Sequence, residues 1–369
     1  MDLRTTHAQR LERWLGPEQV EIISHAMRGW YGAPIPVGNV PGMVYAVGGG
    51  EFVGAIRGGG FASFADFAEG RLRRILRESA RRNFGTLHAG FSSLSDLLTE
   101  ATTGGKMQEH TFNKVGTASA AAPEPMSLWN VGAKPVAGGV GGTRGTGRAC
   151  LRTTTGAIGQ DNPLSGDQLH VVSGDACATV PNTLLIYDRL WDMTWNHATG
   201  TTQAIDSANR PGRYQTSALA PSNFLSGEVT TALSATAHNL TMTYVDDAGN
   251  TAEAAAAYAA PVSAAANRIP LVSPNWFLPL NSGDRGLRYL TQVDQSTVAA
   301  VTGVSNIFIG HPLAFMPCPV ANLLFPFDWV YRKFGPKRVY SDACLSFLEM
   351  PKTATTAATY NGMLNMVSG

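Results

Sequence analysis

Between His238 and Leu313, apolar and polar residues alternate in short runs separated by turn-forming clusters. Leu240, Met242 and Tyr244 fall on one face of an extended chain, and Thr241, Thr243 and Val245 on the other. That period of two marks a half-buried strand. Asp246-Asp247-Ala248-Gly249-Asn250 follows with the composition of a tight reversal, in which Gly249 is free to take positive φ. Leu287 to Val293 reads as a second strand leaving the turn around Asn281 to Gly286. Val298 to Val304 and Asn306 to Ile309 read as two further β-branched runs. Four strand signals with turn chemistry between them predict an antiparallel β-sandwich of the jelly-roll kind.

Upstream the pattern changes. Leu11, Trp14, Leu15, Val20, Ile22, Ile23 and Met27 recur at helical intervals over residues 8–29. Met43 to Val47 and Glu51 to Ile56 predict a small hairpin about Gly48-Gly49-Gly50. From Phe61 to Asn83 the residues Phe61, Phe64, Ala68, Leu72, Ile75 and Leu76 form one apolar stripe of a helix. Leu87 to Thr99 predicts a shorter helix, with Ser93 or Ser95 as its cap. Residues 111–180 are rich in Gly, Pro and Thr and predict an extended arm, although Leu169 to Val172 and Asn182 to Asp188 read as strands. Phe327, Trp329 and Tyr331 alternate and read as the closing strand of the sandwich. Thr353 to Tyr360 is polar and reads as an arm. The expectation is mainly β with an α-rich N-terminal region: 1–105 helical with a hairpin, 106–180 an arm, 181–350 a β-sandwich and 351–369 a C-terminal arm.

Composition adds one constraint. Charged residues are only 15% of the 369, with 28 Lys+Arg against 27 Asp+Glu and 40 Gly. Soluble domains usually carry about 25% charge. Low charge suits a chain that covers much of its surface with neighbours. The four cysteines, Cys150, Cys177, Cys318 and Cys344, form no C-x-x-C pair or zinc spacing and read as buried thiols. The N-terminus has no apolar signal region, and no run of 18 apolar residues occurs. Synthesis in a cytoplasm and no membrane partner are therefore expected.

Candidate chemistry is sparse. The polar face of the 61–83 helix is basic, with Arg71, Arg73, Arg74, Arg77, Arg81 and Arg82. It is either a solvated face or a docking face for an acidic partner or packaged nucleic acid. No aromatic residues interleave there, which argues against single-strand binding, and nucleic acid is not the expected partner. Asp188 and Asp192 beside Trp191 and Trp195 resemble the carboxylate-aromatic sets of glycan clefts. A strand end followed by a turn is the simpler account of them. Asp246, Asp247 and Asn250 offer oxygen ligands, but not in a calcium-loop array. Gly142 to Ala149 has a phosphate-loop glycine spacing, but Arg148 and Ala149 replace the lysine and hydroxyl residue; a flexible loop fits better. The eight histidines are scattered with no pair at i, i+4. No catalytic, cofactor-binding or metal-binding residue is assigned, and no enzyme is expected.

The serial order of several motifs resembles virion structural proteins of tailed bacteriophages. They are Ser127-Leu128-Trp129 with Gly132, Pro135 and Gly138-Gly139, then Leu185 to Trp191, Arg213-Tyr214, the strand Leu240 to Tyr244 with its Asp247-Ala248-Gly249-Asn250 turn, Leu280 to Leu287, and Ile309 to Leu313. The resemblance covers about residues 110–320. It implies a virion-located β-sandwich that binds other virion subunits, without catalytic residues. A capsid-associated decoration, cement or minor capsid subunit is the leading expectation, as a homo-oligomer and by analogy a trimer. The alternative is a tail fibre, spike or collar component that binds host glycan through Trp191, Trp195, Asp188 and Asp192.

Overall fold

In the computed structural model, residues 47–48, 51–52 and 91–369 are described, apart from 119–124, 207–208, 211, 252, 256–257, 261–268, 270–276, 299, 331–335 and 351–355. The chain divides into two compact units, Met1–Arg81 and Arg82–Gly369. In the first, Val47–Gly48 pairs antiparallel with Glu51–Phe52. The helices expected over 8–29 and 61–83 lie outside the described residues, and with them Arg71, Arg73, Arg74, Arg77, Arg81 and Arg82.

The second unit is mainly β, and its strand pairs are antiparallel. Its longer strands are β1 (Met107–Val115), β2 (Leu169–Ala178), β3 (Asn182–Asn196), β4 (Phe224–Thr231), β5 (His238–Asp246), β6 (Leu287–Gln295), β7 (Val304–Cys318), β8 (Leu345–Glu349) and β9 (Thr359–Ser368). The central sheet has the order β4-β7-β3-β8 and ends on Met126–Ser127, with Arg148–Ala149 also paired to β3. A second sheet joins β5 and β6 and adds Thr202–Ala204, Glu253–Ala254 and Tyr258–Ala260. A third has the order Phe325–Asp328, β2, β9, β1, Ala133–Lys134, with Lys337–Val339 also on β2. No helix among the described residues is long and apolar enough to cross a membrane.

Two cores share the central sheet. In one, Trp191, Met193 and Trp195 of β3 and Ile307 and Ile309 of β7 join Leu240, Met242, Leu290 and Val293 of the second sheet. In the other, Leu184 and Ile186 of β3 and Ala314 and Met316 of β7 join Phe112, Val171, Leu364 and Met366 of the third. The two 15-residue strands β3 and β7 run through both cores. Covered on both faces, β3 is buried without a break from Leu184 to Met193 although three of those residues are charged. Two prolines of β7, Pro312 and Pro317, lie beyond Gly310, where the pairing with β4 ends. Among the described residues, one edge of β7 therefore has no strand partner there, the place where a missing amide is tolerated.

The β5–β6 pair follows the sequence pattern. Leu240, Met242 and Tyr244 are buried while Thr241 and Thr243 are partly exposed. Gly249 has φ +104°, and Asp246 Oδ1 accepts from the amides of Gly249 and Asn250 at 2.6 and 2.7 Å. The short helix is α1, Leu94–Thr102. Ser93 caps it, its hydroxyl accepting from the Asp96 amide at 3.1 Å, so Ser95 is not the cap.

Other expectations change. The run expected over Val298 to Val304 is not a strand in its described residues before Val304: Val301 N donates to Val298 O, and the strand starts at Val304 and absorbs Asn306 to Ile309. Residues 359–368 are no arm: β9 lies between β2 and β1. Its Tyr360, Leu364 and Met366 are buried, with polar Asn361 and Asn365 between them. The 106–180 stretch likewise supplies two full strands to this sheet, β1 and β2. Phe327 and Trp329 are buried, whereas Tyr331 lies outside the described residues.

The Gly-rich segment is packed rather than flexible. Gly141 N donates to Asn306 Oδ1 at 2.6 Å, and Gly142 N to Asp192 Oδ1 at 3.0 Å. Gly138 lies flat on the buried Trp129 indole; a Cβ there would sit 2.0 Å from Trp129 Cε2. Gly138→Ala is expected to destabilise the unit by about 2–3 kcal/mol, as overpacking does. Urea denaturation checks this, and an unchanged midpoint would show that the indole moves freely.

Candidate functional site

The chemistry-bearing residues of β3 are arranged by a β-bulge. The register with β7 passes from Gly310↔Arg189 to Ile309↔Trp191, leaving Leu190 as the extra residue. In an unbroken strand, residues three apart project to opposite faces. The bulge brings Arg189 and Asp192 together, and Arg189 Nε donates to Asp192 Oδ2 at 3.0 Å. Arg189 Nη2 donates to Glu228 Oε1 on β4 at 2.8 Å, and Nη1 to the Tyr187 hydroxyl at 3.3 Å. Its guanidinium carbon lies 4.5 Å from the Trp129 ring centroid and 4.4 Å from that of Phe308. Arg189, Asp192 and Glu228 are all fully buried.

Each anion has further donors. Asp192 accepts from Arg148 Nε at 2.8 Å. Glu228 accepts from Asn306 Nδ2 at 2.9 Å and from the Ser127 hydroxyl. A second ion pair lies next to this cluster: Arg213 donates through Nε and Nη2 to both oxygens of Asp188 at 2.9 and 2.8 Å. The Cys344 amide donates to Asp188 Oδ1 at 2.8 Å. Burial pushes the Asp188 carboxyl above its ordinary range, and Arg213 opposes that shift. Burial likewise pushes the Tyr187 hydroxyl upward.

This geometry closes the proposed glycan cleft. Trp191 and Trp195 are 3% and 0% exposed, packed in the core beneath the second sheet. Trp195 Nε1 donates to Gln295 Oε1 at 2.8 Å. Asp188 and Asp192, expected at a strand end and turn, lie inside a continuous strand, each held by its own arginines. The exposed aromatic-carboxylate patch required for glycan contact is not formed by these four residues. The Asp246–Asn250 carboxylates are likewise engaged, Asp246 within the turn and Asp247 on Arg285 at 2.7 Å. Among the described residues, no group of three or more His, Cys, Asp or Glu could hold a metal ion.

Two distant histidines meet where β3 ends and β5 begins. His197 Nδ1 lies 2.8 Å from His238 Nε2, and His197 Nε2 lies 2.8 Å from Ser305 Oγ. His238 Nδ1 lies 3.1 Å from Thr236 O, which can only accept. His238 therefore donates through Nδ1 and accepts through Nε2; His197 donates to it, and Ser305 donates to His197. The relay is satisfied when both rings are neutral. Burial holds His197, His170 and His311 each down to about 4.

The surface offers a different feature. Phe315, Val320, Leu323 and Leu324 are 46%, 52%, 51% and 58% exposed. They line the end of β7 and the turn that follows, which is tied down by Asn322 N donating to Ala178 O at 2.8 Å. Val115, 48% exposed, stands at the end of β1 opposite Thr359, and Tyr360 pairs with Ala178 at the same end of the third sheet. Pattern reading missed this rim. Its signal was Leu323-Leu324, an apolar pair on a turn and outside any alternation.

No family model matches the chain, and no curated protein matches it. Among solved structures it is similar to the infectious bursal disease virus VP2 subviral particle, at 10% identity over 79% of this chain and 86% of that one, with a TM-score of 0.17. It is also similar to the structure of the Gt strain of that virus, at 10% identity over 71% and 80%, with a TM-score of 0.16. TM-scores this far below 0.5 carry no argument about fold or role, which rest on the chain's own residues.

His170, His197 and His311 give the unit a pH dependence. Their folded values lie below the unfolded value of about 6.5, so between pH 6.5 and 4 the unfolded chain binds more protons. The stabilisation is complete above about pH 6.5 and is lost as pH falls towards 4, at up to about 3 kcal/mol per group. Thermal unfolding is expected to show a melting temperature lower at pH 4.5 than at pH 7, with a smaller difference in His197→Gln. An equal difference in that variant would remove His197 from the effect.

Proposed function

We propose that this chain is a non-enzymatic structural subunit of a tailed bacteriophage particle. In this reading it is capsid-associated, as a decoration, cement or minor capsid protein acting through subunit contacts. The observation that carries the reading is the apolar rim of Phe315, Val320, Leu323, Leu324 and Val115 on an antiparallel β body. Large exposed apolar side chains at one end of a β body mark interaction sites. The charge pattern supports the same reading. Charge is scarce, and Asp188, Arg189, Asp192 and Glu228 are buried in ion pairs where they add nothing to solubility. A rigid body presenting a preformed apolar edge binds neighbours with little ordering cost. The serial motif resemblance supports the choice of particle, and the rim supports attachment by subunit contact. The tail-glycan alternative loses its four candidate residues to the interior.

The test replaces the parent protein with Leu323→Asp/Leu324→Asp in assembling particles and quantifies the incorporated chain by mass spectrometry. Both side chains are exposed, so the melting temperature is expected to stay within a few degrees of the parent. Incorporation is expected to fall at least about tenfold, the effect of losing roughly 1.4 kcal/mol or more of contact energy. Parental incorporation by a folded variant would rule out the rim as the attachment surface.

A further inference from the structure

Two of the four cysteines meet inside the second unit. Arg148–Ala149 and β8 both pair with β3 along its edge away from β7, one beyond the other. Their facing ends adjoin at the bulge. Cys150 N donates to Leu190 O at 3.0 Å, and Arg189 N donates to Cys344 O at 2.8 Å. Successive residues of β3 thus hold the two cysteine backbones. Arg213 fastens the same junction, donating to Cys150 O at 2.9 Å and to Asp188, which accepts from the Cys344 amide. Cys150 and Cys344 belong to one buried side-chain cluster, and Cys150 Sγ lies 4.0 Å from Arg148 O. Both are fully buried, packed with Trp129 and Ala157.

We propose that Cys150 and Cys344 are a disulfide-forming pair that locks the two collinear strands together when the protein meets a small-molecule disulfide oxidant. One cysteine thiolate attacks a sulfur of the oxidant, forms a mixed disulfide and releases one small thiol. The second cysteine thiolate attacks the protein sulfur of that mixed disulfide; the Cys150–Cys344 bond forms and the second small thiol leaves. The two cysteines lose two electrons and two protons, and the oxidant takes both up as two thiols. Burial pushes the Cys150 thiol up, so exchange is slow in the closed fold and proceeds as the chain folds or the junction opens. The bond would close a loop of roughly 190 residues, a span over which cross-linking restricts the unfolded chain strongly. The chain would then fold and assemble with free thiols under reducing conditions and gain the bond under oxidising ones. This holds whichever particle surface the protein occupies. The other two thiols differ: Cys318 is buried while Cys177 is part-exposed on β2, which makes them the natural competitors.

The experiment uses the full chain, unfolded and refolded in oxidised glutathione, beside a control refolded in reduced glutathione. Each sample is denatured in N-ethylmaleimide, digested and mapped by mass spectrometry. The expected result is a Cys150–Cys344 cross-linked peptide in the oxidised sample alone, with a melting temperature higher by about 5 °C or more. In Cys177→Ser/Cys318→Ser, where only the two thiols remain, the same peptide is expected. Cys150 and Cys344 found alkylated, glutathione-capped or paired with Cys177 or Cys318 in the parent would overturn the proposal. So would two free thiols in the double variant.

Discussion

A fully buried guanidinium organises this molecule. Taking Arg189 out of water costs several kcal/mol unless its charge is met from every side. Glu228 on β4, Asp192 on β3 and the Tyr187 hydroxyl meet it in the plane, and the Trp129 and Phe308 rings lie close to the charge. Those partners come from three neighbouring strands of the central sheet and from the segment that covers them. The bulge at Leu190 is what aims Arg189 and Asp192 at each other. A shift of one residue in β3 would turn one charge towards the apolar core under the second sheet. The ion cluster therefore fixes the register of the strand that carries both cores.

The covering segment depends on the same cluster. Ser127 donates to Glu228, Gly142 and Arg148 donate to Asp192, and Gly141 donates to Asn306. The glycines let the backbone lie directly on the sheet, as Gly138 does on Trp129. What reads as a loose Gly-rich stretch is thus a lid over buried charge. A chain with few charges and an exposed apolar rim has the combination expected of a subunit that works by contact.

Local pattern made part of this legible. The alternation of Leu240, Met242 and Tyr244, the Asp246–Asn250 turn and the Ser93 cap depend on neighbours within a few residues, and each formed as its residues dictate. The course of β3 past Asp188 was not legible. Three charges in five residues read as a strand end, because the partners that neutralise them lie far along the chain, at Arg148, Arg213 and Glu228. The same holds for β9, whose Tyr360, Leu364 and Met366 are separated by polar residues and a glycine, and for the meeting of His197 with His238 or Cys150 with Cys344. The candidate glycan residues failed for the same reason: aromatic and acidic side chains in one stretch reveal their types but not the burial imposed by a second sheet.

The most direct measurement is a double-mutant cycle on Arg189→Met and Glu228→Gln, read by equilibrium denaturation of the full chain. If the buried pair organises the sheet, each single variant loses about 3–5 kcal/mol by leaving an uncompensated buried charge or acceptor. The double variant would then lose clearly less than the sum, with a coupling of about 2 kcal/mol or more. Single losses below about 1 kcal/mol that simply add would contradict the account, because they would mean that the central sheet holds its register without Arg189.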